Sequence, residues 1–99
     1  GACMMNEHEN MIKECTKKFA KELPILRKMN NLTQKKLGEI VGVSRQTITN
    51  IESGKTDMQL TLFFALMFIF TLDNDTEEYI KRIDIPYDEI KNWLKKKRM

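Results

Sequence analysis

A chain of 99 residues supports one domain with at most an appendage. It is 41% hydrophobic and 31% charged, with a net charge of +3. The most apolar run, residues 60–72, is about 13 residues, too short to span a bilayer as a helix, so no membrane-spanning helix is expected.

The distribution of charge says more than its sum. Residues 13–56 hold ten Lys/Arg against four Asp/Glu, a net of +6. Residues 57–90 hold two against eight, a net of −6. Residues 91–99 carry five basic residues and no acid. The basic block suits a phosphate-rich partner, and the acidic block would have to face away from it. Cys3 and Cys15 offer neither metal-ligand spacing nor a disulfide framework, and no secretory pattern is visible, so the expected setting is a reduced cytoplasm. His8 is the sole histidine and has no metal-spaced partner. No Gly-rich phosphate loop or nucleophile–base set is present. The expectation is no enzyme, no metal and no cofactor.

Gly1-Ala2-Cys3 ahead of Met4 is expected to be an expression remnant. From Met4 to Leu23 the apolar residues Met4, Met11, Ile12, Cys15, Phe19 and Leu23 form a helical stripe, with His8 on the same face. This helix either docks on the domain or serves as a dimerisation or DNA-backbone arm. Pro24 lacks an N–H and would clash with the carbonyl of Ala20, so the spacing predicts a break and a new helix over residues 24–29. Leu23 and Leu26 are its buried positions, Asn30-Asn31 ends it, and Leu32 plugs the turn.

Residues 33–54 read as two short helices joined by a tight turn. Thr33 is placed as an N-cap. Leu37, Ile40 and Val41 form the inward face of the first helix. Gly42 supplies a positive φ at the turn, Val43 plugs it, and Ser44 caps the second helix. Ile48 and Ile51 point inward, and Gly54 ends that helix with Lys55 beside its negative end. The outward residues include Arg45, Gln46, Thr47, Thr49 and Asn50. Arg reads guanine O6 and N7, Gln and Asn read adenine N6 and N7, and a Thr methyl fits a thymine methyl. Such a face behind a capped turn is what a major-groove reader needs. The alternative is an αα-hairpin that only packs.

The segment 60–71 is apolar almost all round, whereas a surface helix shows one stripe. Its second face needs a cover, either the C-terminal helices or a second subunit. Residues 72–75 form a turn in which Asn74 or Asp75 caps a short helix through Tyr79, Ile80 and Ile83. Pro86 opens a last helix with Asp88 and Glu89 in its first turn and Lys95, Lys96, Lys97 and Arg98 in its last, an order that suits the helix dipole. Trp93 is expected against the Phe-rich helix.

Residues 23–72 closely resemble the helix-turn-helix of the XRE family, the Cro/cI-type phage repressors and their relatives. The resemblance rests on Gln34 opening the first helix, on the run Gly42-Val43-Ser44-Arg45-Gln46-Thr47-Ile48, and on the ending Ile51-Glu52-Ser53-Gly54-Lys55. Gly38 is a small residue where the helices cross, a place where the family more often has Ala. The resemblance implies an all-α, lambda-repressor-like DNA-binding domain of five to six helices. It would consist of an N-terminal extension and helix (1–22), the core (23–72) and a C-terminal helical extension with a basic tail (73–99). It also implies an ion pair between Arg27 and Glu52. The base contacts are expected from Arg45, Gln46, Thr47, Thr49 and Asn50, and the phosphate contacts from Gln34, Ser44 and Lys55. Asp57 departs from a phosphate-binding loop. The implied function is transcriptional regulation, read as repression, by a homodimer on a near-palindromic duplex DNA operator. The other reading is an antitoxin-type module that neutralises a partner protein and represses its own operon.

Overall fold

The computed structural model describes residues 7–98. Met4 and the Gly1-Ala2-Cys3 leader lie outside the described residues, and so does the side chain of His8. The described chain forms six helices: α1 (Glu7–Met29), α2 (Gln34–Val41), α3 (Arg45–Glu52), α4 (Leu60–Phe70), α5 (Asn74–Arg82) and α6 (Tyr87–Arg98).

α1 corrects the expectation at Pro24. It is one helix of 23 residues that runs straight through the proline. Interior Pro costs a helix about 3 kcal/mol. Against this stands one continuous buried row: Ile12, Cys15, Phe19, Leu23 and Leu26 are all 5% exposed or less. Their spacing of three and four residues keeps them on one face only if the helix does not break. Burial of one Leu alone contributes roughly 1.5–3 kcal/mol, so the row outweighs the missing hydrogen bond. Burial also pushes the Cys15 thiol above its ordinary range.

The end of α1 is set by Asn31, which takes φ 56. Leu32 N then donates to Arg27 O at 2.8 Å and Asn31 N to Lys28 O at 3.1 Å, the paired bonds of a Schellman ending. Thr33 caps α2 by accepting from Lys36 N, and Ser44 caps α3 by accepting from Thr47 N, each at 3.0 Å. Gly42 and Gly54 both take φ 79, as the sequence required of them.

Ile40 departs from the expected inward face and is 47% exposed. Each helical residue turns about 100°. The arc that faces α3 and the core is set by Leu37, Gly38 and Val41, and Ile40 falls outside it. Gly38 marks the crossing itself. A Cβ there would stand 2.6 Å from the carbonyl oxygen of Val43, which is backbone and cannot swing away. Gly38 O also accepts from Gly42 N and Val43 N. Even the family's Ala is therefore too large for this turn. Overpacking costs about 1–3 kcal/mol and the helix-propensity gain of Ala returns about 1, so Gly38→Ala is expected to destabilise on balance. Urea denaturation measures this; an unchanged or raised midpoint would show that the turn shifts freely.

Phe19 of α1 meets Phe63 of α4 edge-on, ring centroids 5.4 Å apart and planes at 88°, and lies 6.4 Å from Phe70. Ile80, Ile85 and Ile90 join the same cluster. One core thus receives side chains from the N-terminal helix, the helix-turn-helix segment and the C-terminal helices. The cap of α5 is Asp73, one residue before the expected Asn74 and two before the expected Asp75, and it accepts from Thr76 N at 3.1 Å. The buried Thr76 hydroxyl ties this turn to Phe70 O at the end of α4. Tyr79 donates to Glu22 at 2.6 Å, joining α5 to α1, and this hydrogen bond raises the Tyr79 phenol above its usual range. α6 begins after Pro86 with acids first and bases last. Trp93 is half-buried against the core, with Lys97 Nζ 5.7 Å from its ring centroid.

Candidate nucleic-acid interface

α2 and α3 are eight residues each. Helices this short are unstable alone, so their geometry depends on caps and on what braces them from behind. Ile48 and Ile51 seat α3 on the core at 0% and 3% exposure. At its far end Gly54 N donates to Ile51 O and Lys55 N to Asn50 O, closing the helix where the loop departs.

A polar brace locks α3 to α1 and α2. Arg27 Nε donates to Glu52 Oε2 at 2.6 Å, and Nη2 to Oε1 at 2.9 Å. Its Nη1 reaches Leu32 O at 3.1 Å. The two side chains are only 13% and 7% exposed. The ion pair implied by the resemblance is present, and it is bidentate and largely desolvated. Gln34 extends it: its Nε2 donates to Glu52 Oε1 and its Oε1 accepts from Thr49 Oγ1, both at 2.9 Å. This four-residue network is more than sequence reasoning expected. The only signal available was a Gln at the start of α2 and a Thr one turn before Glu52.

The structure sorts the expected contact residues into two groups. Arg45, Gln46, Ser44 and Lys55 are exposed, with Thr47 and Asn50 half-buried beside them. Ser44 Oγ lies 2.9 Å from Thr47 Oγ1, and Gln46 Nε2 donates to Asn50 Oδ1 at 2.9 Å. Thr49 and Gln34 instead engage each other, and the Thr49 hydroxyl also reaches Arg45 O at 3.0 Å. One further feature was not singled out from the sequence. Gln59 stands at the N-cap of α4 without a side-chain cap bond. The first N–H groups of α4 therefore lack a capping acceptor. A groove whose polar lining is Thr47, Asn50, Thr56, Asp57, Gln59 and Thr61 joins this helix end to α3.

The helix-turn-helix family pattern matches residues 25–67. An uncharacterized HTH-type transcriptional regulator of Methanocaldococcus jannaschii is 47% identical over 49 residues, which cover 50% of this chain and 74% of that protein. The chain belongs to the XRE-type helix-turn-helix family of DNA-binding transcription regulators. No solved structure matches it. The all-helical architecture agrees with this membership. Among the described residues of this family member, no group of His, Cys, Asp and Glu could hold a metal ion, and no helix is long and apolar enough to cross a membrane.

Proposed function

We propose that the protein represses transcription by inserting α3 into the major groove of a near-palindromic operator, as a homodimer. The observation that carries this reading is the outward row Arg45, Gln46, Thr47 and Asn50 on a helix capped by Ser44 and braced from behind by Glu52. A rigidly held helix with an exposed polar face can present donors and acceptors to base edges without first paying to order them. Arg45, Gln46 and Asn50 are assigned to bases, with Thr47 at a base or phosphate. Thr49 reaches a base through its methyl group, since its hydroxyl serves Gln34. Ser44 and Lys55 are assigned to phosphates. Gln34 contributes through the N–H groups at the start of α2 and its remaining amide hydrogen, because helix N-termini attract anions.

Dimerisation is supported by α4. Phe68 and Leu72 remain 68% and 71% exposed, so the monomer does not cover the second face of the Phe-rich segment. The same surface would suit a partner protein that this chain neutralises as an antitoxin-type module, and sedimentation of the purified chain with and without operator separates the two. Half-sites one helical turn apart, ~34 Å, are expected for the dimer.

Selection from random duplex DNA tests the reading. Arg45→Ala and Gln46→Ala are each expected to weaken binding to the selected site by about 1–3 kcal/mol and to relax one base position. A uniform loss across all sequences would reduce both residues to electrostatic or backbone contacts.

A further inference from the structure

Gln46 does not stand free on α3. Its Nε2 donates to Oδ1 of Asn50, one turn on, at 2.9 Å. A primary amide carries two N–H donors and a carbonyl acceptor. When Asn50 holds the N–H that points away from the Gln46 carbonyl, the other lies beside the carbonyl on a single edge. That donor–acceptor edge matches adenine, whose N7 accepts and whose N6 donates in the major groove. Asn50 is itself well anchored. Its main-chain carbonyl accepts from Lys55 N at 2.9 Å, Ser53 Oγ at 3.1 Å and Thr56 N at 3.3 Å, which closes the end of α3. Its side chain is half-buried in the groove shared with α4, so it has less freedom than the exposed Gln46.

We propose that Asn50, besides the base contact assigned to it, positions Gln46, and that the pinned Gln46 amide reads one adenine. This rests on α3 being the base-reading helix. The pin restricts a flexible side chain before DNA arrives, and it selects which edge of the amide faces the base. Without it the Gln46 amide is free to turn and to accept other bases.

Binding-site selection with the full chain, followed by competition among the four base pairs at the affected position, tests this. Wild type is expected to require adenine at the position that Gln46→Ala relaxes. Asn50→Ala should relax that same position, with the preference for adenine falling about tenfold, the scale of one bidentate contact. The double substitution should lose no more discrimination there than Gln46→Ala alone. Asn50→Asp keeps the acceptor oxygen and should restore the adenine preference, while its charge weakens binding to all sequences alike. Because the bonds that close α3 use only the backbone of Asn50, these variants should melt as wild type does. The proposal is overturned if Asn50→Ala leaves the Gln46 position unchanged, if the two losses multiply independently, or if wild type prefers another base there. A wild-type chain that selects no consensus at all overturns the reading of α3 itself, a different and recognisable result.

Discussion

Glu52→Ala is expected to destabilise the protein by about 3–5 kcal/mol, the cost of leaving one partner of a buried pair uncompensated. The Arg27 guanidinium would keep only Leu32 O, and the Gln34 amide would lose its acceptor. A domain of this size has roughly 5–15 kcal/mol in total, so a large share of the folded population at elevated temperature depends on this one carboxylate. Arg27→Ala should cost a similar amount, because it strands Glu52 at 7% exposure. Replacing both residues together by Met and Leu of similar volume should recover much of the loss, since a well-packed apolar pair is often as stable as a buried ion pair. Urea denaturation of the three variants decides it. A loss below about 1 kcal/mol for Glu52→Ala would place the pair with ordinary surface bridges. DNA binding should fall further than stability alone explains, because Glu52 and Gln34 together hold Thr49 and the last turn of α3.

Phe19→Ala is the second large effect, expected at about 3–5 kcal/mol for loss of a buried aromatic and the cavity left behind. Phe19 is 0% exposed and touches both Phe63 and Phe70. It lies outside the segment that matches the family, residues 25–67. The substitution therefore measures whether the upstream part of α1 belongs to the cooperative unit. A full loss with an unchanged urea slope means that α1 folds with the helix-turn-helix. A small loss accompanied by a shallower slope would mean that the upstream turns fray on their own.

What could be read early was whatever depends on neighbours in sequence. The caps at Thr33 and Ser44 and the positive-φ glycines Gly42 and Gly54 are decided within four residues, by side-chain oxygens near orphan N–H groups and by the freedom of a residue without Cβ. The arrangement of Arg45, Gln46, Thr47 and Asn50 on one outward face follows from helical spacing alone. The pairing of Arg27 with Glu52 across 25 residues was available only through resemblance. The polar and apolar residues of each short helix, and the acid-to-base order along α6, were likewise local matters.

The tertiary structure decided the rest. Pro24 by its local chemistry argues for a break, and only the shared burial of Ile12, Cys15, Phe19, Leu23 and Leu26 keeps α1 whole. Ile40 carries the right residue type at the right period, but where α3 crosses at Gly38 settles which arc of α2 is inside. The bonds of the Gln34 amide to Glu52 and Thr49, groups that lie 18 and 15 residues away, were not legible in its place at the start of α2. The physical reason is the same in each case. The caps at Thr33 and Ser44 and the glycine turns are set by interactions within one or two helical turns, so the sequence specifies them. Which of several acceptable local choices wins depends on the free energy of contacts between distant segments, and that exists only once the helices have met.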